Sequence, residues 1–259
     1  MPPRFAANVS MLFREYAFLD RFDAAARMGF TATEFWWPAG QQLDDVNVAV
    51  HDAGVDVVLI NFDGGDLAAG DRGLINDAER EGRFHENISE AIAFAVSVGC
   101  RQLNALVGIE LPDVPRKAQL ERVRTNLVHA ARAVAPSGMR VLVEAINTHD
   151  NGPYLVSSTD EAAALVKAVA EPNIALQYDA FHMHRMGEDV ETTLRRHIRE
   201  IAHVQIADDP GRGEPATGEI DFERLFTTLD ELGYAGHVGL EYAPTTTTEA
   251  TLSSLAPWV

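Results

Sequence analysis

Two hydrophobic patterns alternate along the chain. Short continuous apolar runs are each followed by a stretch where apolar residues recur at helical spacing, so strands and helices are predicted in turn. Phe5 to Val9 is the first strand, and Leu19, Phe22 and Ala26 mark a helix that Gly29 stops. Thr33 to Trp37 is a strand ending in two aromatics, and Gln42 to Ala53 is a weaker helix ended by Gly54. Val55 to Asn61 is rich in β-branched residues, as expected of a strand buried on both faces. Phe62 to Gly73 is a long glycine-rich loop, placed as a functional lid would be. Phe84, Ile88, Ala91, Ile92 and Ala95 mark the third helix, Arg101 to Leu106 the fourth strand, and Leu120, Val123, Leu127, Ala130 and Val134 a long fourth helix. Arg140 to Ala145 is the fifth strand, and Ser158-Thr-Asp-Glu161 is a capping box that opens a helix through Val169. Ile174 to Tyr178 is the sixth strand, leading into Asp179; Val190 to Ile198 is helical, and Ile201 to Ile206 is the seventh strand. Asp221 caps the helix of Phe222, Leu225, Phe226 and Leu229; His237 to Glu241 is the eighth strand, and Thr246-Thr-Thr-Glu249 caps a short last helix.

These are eight strand-then-helix units with no linker or low-complexity segment, so residues 1–259 are expected to form a single domain. Strict alternation implies a parallel sheet, and eight units in about 250 residues is the size of a (β/α)8 TIM barrel. An open doubly wound sheet is the competitor. It would carry a nucleotide-binding glycine pattern after the first strand, and Ser10-Met-Leu-Phe-Arg-Glu-Tyr16 is nothing like one.

Charge then narrows the partners. With 39 acidic against 21 basic residues the net charge is −18, which argues against nucleic acid. A small anionic substrate held by one or two local cations stays compatible with that balance. No apolar stretch is long enough to span a membrane, and Met1 to Met11 shows no secretory pattern, so a cytoplasmic protein is expected. The only cysteine, Cys100, rules out a disulfide framework and thiolate metal clusters, and it reads as a buried small hydrophobe.

The candidate chemistry lies at the ends of the last four strands, which in a barrel converge on one face. They deliver Glu144, Asp179, Gln205 and Glu241 to that rim. Three carboxylates at one spot repel one another and resist ionising unless a cation joins them. All-oxygen ligation suits a hard ion, Mg²⁺ or Mn²⁺. One acidic strand end alone is more often a helix cap or a surface group. Four polar ends in succession, each behind an apolar run, are poorly explained that way. Gln205 is the weakest member, because a glutamine can simply hydrogen-bond a neighbouring carboxylate. His182 lies three residues past Asp179 and belongs on the same rim, although a loop histidine is usually just solvated; His184 has a weaker case. Arg212, in the loop rising from the Gln205 strand, is placed to bind a substrate carboxylate bidentately. Its ordinary alternative is a salt bridge to Asp208, Asp209 or Glu214. His149 and Asp150 are supported by position alone, and Trp36 and Trp37 wall a pocket or pack in a core or oligomer contact.

With these residues in view, the chain resembles the hydroxypyruvate isomerase family of the xylose-isomerase-like (β/α)8 barrels over nearly its full length. The resemblance is carried by Phe5-Ala-Ala-Asn-Val-Ser-Met-Leu-Phe13, Glu144-Ala-Ile-Asn147, Gln177-Tyr-Asp179 with His182-Met, Gln205-Ile-Ala-Asp208, Arg212-Gly-Glu-Pro-Ala-Thr-Gly-Glu-Ile220 and Gly239-Leu-Glu-Tyr242. The Gln-Ile-Ala-Asp and Arg-Gly-Glu-Pro segments together are its most specific part. It implies a metal-dependent aldose–ketose isomerase, with Glu144, Asp179, Gln205 and Glu241 on the metal positions and Glu144 and Glu241 also on the acid/base positions. Related barrels often place a histidine where Gln205 stands, which fits this group rather than the sugar epimerases. The chain departs from the family pattern in two places. Ala145 follows Glu144 where proline is expected, and the glycine-rich loop reads Asn61-Phe-Asp-Gly-Gly-Asp-Leu67 where Pro-Ala-Gly-Asp-Trp is expected. Both departures leave the metal positions intact and bear on substrate choice.

The reaction so implied interconverts hydroxypyruvate and tartronate semialdehyde through an enediolate, with His182 and Arg212 binding substrate. Alternatives are the same chemistry on a four-carbon 2-oxo sugar acid (2-oxo-tetronate) and a ketose 3-epimerase. A metal-dependent endonuclease shares this barrel, but the charge of −18 and the scarcity of strand-end histidines oppose it. A non-catalytic sugar-acid binder would show no exchange of substrate hydrogens, and a polyol dehydratase is more remote. The expected partner is a small hydroxy acid, oxo acid or sugar, with no nucleic acid and no membrane; a homo-oligomer is a family-level expectation.

Overall fold

In the computed structural model, which describes residues 3–258, eight parallel strands close into a barrel in sequence order. The ends of the expected 1–259 span lie outside the described residues. The strands are β1 (Arg4–Asn8), β2 (Ala32–Phe35), β3 (Asp56–Asn61), β4 (Gln102–Asn104), β5 (Arg140–Glu144), β6 (Ile174–Asp179), β7 (Ile201–Ile206) and β8 (His237–Leu240). Around them run α1 (Asp20–Arg27), α2 (Leu43–Ala53), α3 (Glu81–Ser97), α4 (Arg116–Val134), α5 (Thr148–Asn151), α6 (Thr159–Val169), α7 (Ala180–Arg185), α8 (Val190–His197), α9 (Phe222–Glu231) and α10 (Thr248–Thr251). Closure comes from β1 beside β8, with Phe5 opposite Val238 and Ala7 opposite Leu240.

The helices form where the apolar spacing predicts them, because only that face has something to bury against. Phe84, Ile88 and Ala91 of α3, and Val123, Leu127 and Ala130 of α4, are buried. Cys100 is buried among them, as expected. Residues two apart on a strand share a face. In β6 this puts Gln177 and Asp179 together, while Leu176 and Tyr178 face the other way. Register staggers the strand ends: Glu144 lies opposite Gln177, two residues before Asp179; Asp179 lies opposite Gln205; and Gln205 lies opposite Gly239, two residues before Glu241.

Several boundaries differ from the periodicity reading. β2 ends at Phe35, so Trp36 and Trp37 start the following loop. β4 is only Gln102–Asn104, because the chain after it turns away to pair Val107 with Gly73 in an isolated antiparallel bridge. Gly73 is required there: its φ is +113°, and a Cβ would lie 2.1 Å from the Leu106 carbonyl oxygen. Two short helices, α5 and α7, lack the length to show a period; side-chain caps from Asn147 and Asp179 start them. The Ser158 hydroxyl caps α6 as predicted, but Glu161 reaches back to the amide of Ser157 rather than to the cap residue's own. Thr247, one residue later than Thr246, caps α10. Among the described residues no helix is long and apolar enough to cross a membrane.

Candidate active site

Each strand carries a polar residue at or beside its carboxyl end: Asn8, Glu34, Asn61, Asn104, Glu144, Asp179, Gln205 and Glu241. All of them are buried. The sequence reading considered only the last four. The same rule applied to the third strand, Val55 to Asn61, finds Asn61; Asn8, Glu34 and Asn104 lie inside the strands as read from sequence.

Glu144, Asp179 and Glu241 are brought together. Glu144 Oε2 accepts a hydrogen bond from the Asn104 amide at 2.9 Å, while Oε1 stands 4.0 Å from His182 Nε2. Asp179 Oδ1 accepts from the backbone N–H of Phe181 at 2.8 Å and of His182 at 3.4 Å, as the cap of α7. Its Oδ2 is buried with no hydrogen-bond partner, 3.6 Å from both His182 Nε2 and Arg212 Nη2. Glu241 Oε1 accepts from Asn8 at 3.0 Å and from the Trp36 indole at 2.5 Å, and Oε2 accepts from Arg212 Nη2 at 2.6 Å.

Crowding of like charge out of water sets the protonation of this group. Burial, then Glu241 and Asp179, hold Glu144 well above the usual carboxylate range. Burial also raises Asp179, against the opposing pull of Arg212 and two backbone N–H groups. Glu241 is pushed up to about 7, by burial first and by Asp179 and Glu34, with Arg212 pulling the other way. Burial works against the Arg212 charge, but Glu241, Asp179 and Glu144 outweigh it and the guanidinium is held more firmly than usual.

His182 lies on α7 rather than in a loop, and it is buried. Asn147 Oδ1 is taken by the Asp150 N–H at 2.9 Å, so the Asn147 amide nitrogen must be what faces His182 Nδ1 at 2.7 Å. Nδ1 is then an acceptor, and the ring proton sits on Nε2, toward Asp179 and Glu144. Burial, Arg212 and Arg72 lower the imidazole pKa well below 6.5, so the ring is neutral. Glu144, Asp179 and His182 offer ligand-type atoms within 4.8 Å of one another, a grouping that can hold a metal ion. In this tautomer, however, His182 presents a donor there rather than a lone pair.

Beside the cluster lies a second buried carboxylate, which the sequence reading missed. Glu34 Oε1 accepts from Asn8 at 3.1 Å and Gln205 at 2.6 Å, and Oε2 pairs with His203 Nε2 at 2.6 Å. A Cβ at Gly239 would lie 2.3 Å from Glu34 Oε2, so glycine at this strand position makes room for the carboxylate. Gln205 therefore does hydrogen-bond a neighbouring carboxylate, while its own Oε1 accepts from Gln177 at 2.5 Å.

Arg212 pairs with none of the three acids proposed as its ordinary partners. Asp208 binds backbone N–H groups of its own loop, Asp209 meets His184 and Arg185, and Glu214 holds Thr245. Arg212 turns inward to Glu241 and Asp179, with Phe181 beneath its guanidinium. His184 is thus a partner of Asp209, and Asp150 pairs with Arg185. Trp36 reaches the site, whereas Trp37 packs edge-on against Phe94.

A cavity of about 350 Å³ opens over the cluster, lined by Glu144, Glu241, His182, Arg212, Trp36 and the glycine-rich loop's Leu67, Ala68 and Arg72, with others. The residues fit a divalent cation. Asn104 Oδ1, Gln177 Oε1 and Asp179 Oδ2 are buried acceptor oxygens without a hydrogen bond, and Asp179 and Glu241 share one guanidinium.

Comparison with known proteins agrees with this geometry. A model of the family described as xylose isomerase-like TIM barrel matches residues 22–258. A 2-oxo-tetronate isomerase of Cupriavidus necator is 39% identical, over 99% of this chain and 99% of its own length. A hydroxypyruvate isomerase of Escherichia coli is 37% identical, over 98% and 99%. A crystal structure titled AP endonuclease, family 2, from Brucella melitensis superposes with a TM-score of 0.94 at 39% identity, covering 99% of each chain. The chain belongs to the xylose isomerase-like TIM barrels and, within them, to the hydroxypyruvate isomerase family. It is an intramolecular oxidoreductase of the aldose–ketose isomerase class.

Proposed function

We propose that the protein interconverts hydroxypyruvate and tartronate semialdehyde, using Glu144 and Glu241 as the acid/base pair. The observation that carries this reading is the pair of buried, proton-holding glutamates lining one small-molecule cavity beside a neutral histidine donor. One glutamate takes a proton from C3 of hydroxypyruvate, leaving an enediolate. The other returns a proton at C2. A proton also passes from the C3 oxygen to the C2 oxygen, so atoms and charge balance. His182 Nε2–H faces the reacting oxygens and donates to the charge that develops there. Burial and Asp179 raise both glutamates, and Glu241 raises Glu144 as well, so their titration belongs to the coupled site.

Glu144, Asp179 and Glu241, with Gln205 through its oxygen, would hold a divalent ion, Mg²⁺ or Mn²⁺. Bound there, it supplies Lewis-acid stabilisation of an enediolate. A second substrate reading, 2-oxo-tetronate, is favoured by the full-length similarity to the isomerase of that name and by a neighbouring cavity of about 440 Å³ that shares Trp36, Asn61, Leu67, Ala68 and Leu106 with the first. The name of the Brucella protein belongs to that protein; here the acidic site and the net charge of −18 oppose a phosphodiester polyanion.

Proton NMR in D₂O with chelator-stripped protein, before and after Mn²⁺ or Mg²⁺, tests the reading. Metal-dependent deuterium exchange with formation of tartronate semialdehyde is the expected result. Exchange only with 2-oxo-tetronate moves the substrate to four carbons. No exchange with either acid and either metal removes the two-glutamate scheme.

A further inference from the structure

The cavity wall contains two guanidinium groups, Arg72 and Arg212, in different company. Arg212 is committed to carboxylates, 2.6 Å from Glu241 and 3.6 Å from Asp179. Arg72 meets only neutral oxygens. Its Nε donates to Asn151 Oδ1 at 2.8 Å, and Nη1 donates to the carbonyls of Leu67 at 3.0 Å and Asp71 at 2.6 Å. Among the described residues no carboxylate pairs with it, and its Nη2 group donates to nothing. The neighbouring acid is occupied, since Asp71 holds Arg80 through both oxygens and caps the Asp66 N–H. The loop therefore holds a positive charge in the cavity wall and leaves it unneutralised, in a chain where acids outnumber bases 39 to 21.

Two features show that the placement is built. The three hydrogen bonds fix the guanidinium from the loop on one side and from α5 on the other. The loop in turn is closed by the Gly73 N–H on the Gly64 carbonyl and by the Asp71–Arg80 pair. A held guanidinium with one amino group free is suited to an anionic oxygen. We propose that Arg72 grips the substrate carboxylate and sets the preference for sugar acids over neutral ketoses. This rests on the isomerase reading above, and it leaves Arg212 to offset the charge of Glu241 and Asp179.

The test compares wild type, Arg72→Gln (polar, uncharged) and Arg72→Lys (charged, fewer loop contacts), each checked by thermal melting and assayed with Mn²⁺. With the acid substrate, R72Q should raise KM about 30-fold or more while kcat falls by less than about fivefold, and R72K should recover about tenfold of the loss. Binding of D-glycerate, a carboxylate of matching size that cannot isomerise, should weaken in the same order by calorimetry, and glycerol should show no such dependence. An R72Q variant that binds glycerate within about threefold of wild type overturns the proposal. So does an R72K variant as weak as R72Q, which would make loop shape the cause, and so does a wild type that binds no glycerate. If glycerate binding depends on Arg72 but neither acid is turned over, the isomerase reading fails and the carboxylate grip stands.

Discussion

Two buried carboxylate sites lie side by side in this barrel and are treated in opposite ways. Glu34 has donors on both oxygens, from Asn8, Gln205 and His203. Glu144 has one, from Asn104, and Asp179 has an oxygen with none. The first site spends its charge on holding β1, β2 and β7 together. In the second, Glu241 has three donors, from Asn8, Trp36 and Arg212, but Glu144 has one and an Asp179 oxygen none, and the three acids crowd one another. Burial alone therefore does not set the two sites apart; what differs is that the second crowds three carboxylates together and leaves an Asp179 oxygen without a donor.

The largest effect should come from the under-supplied site. Glu144→Gln or Glu241→Gln should cut turnover by about 10³-fold, read by deuterium exchange, while thermal melting shows the fold intact or more stable because repulsion is relieved. Normal turnover in either variant would break the comparison at its functional end.

Glu34 should behave the other way. Glu34→Leu leaves His203 and Gln205 without this acceptor and Asn8 with one of its two, and should cost about 3 kcal/mol in urea unfolding. A variant as stable as wild type would show that this carboxylate is not structural.

The smallest effect is a pH dependence of the metal-free protein. The folded-state pKa of Glu241 is about 7, above its ordinary 4.5. Between those values the folded chain holds a proton that the unfolded chain has lost, so this contribution to stability is full below about 4.5 and fades as pH rises through about 7. Thermal melts across that window should decline for wild type and decline less for E241Q, where Glu144 and Asp179 still contribute, and Mn²⁺ should shrink the difference by favouring the charged form. A rising profile would reverse the assigned sign.

The alternation of strands and helices was legible because each element carries its own period, and so was the cluster of Glu144, Asp179 and Glu241, because the carboxyl ends of a barrel's strands converge on one face. β4 was overextended because Ala105 and Leu106 are apolar for a different reason: they line the turn toward Gly73. Glu34 was hidden within an apolar strand, and a register shift between Thr33 and Glu34 marks where it sits.

The sequence by itself determined the barrel and which carboxylates reach its rim, since both follow from local periodicity and chain order. The tertiary structure alone decided what each of them meets. Trp36 finds Glu241 across 205 residues and Gln205 finds Glu34 across 171, and no local pattern encodes such a pairing. The same holds for the His182 tautomer, which Asn147 imposes, and for the two arginines. Only Arg212 stood out in the sequence, and only the atoms around the two arginines show that Arg212 pairs with Glu241 while Arg72 meets neutral oxygens.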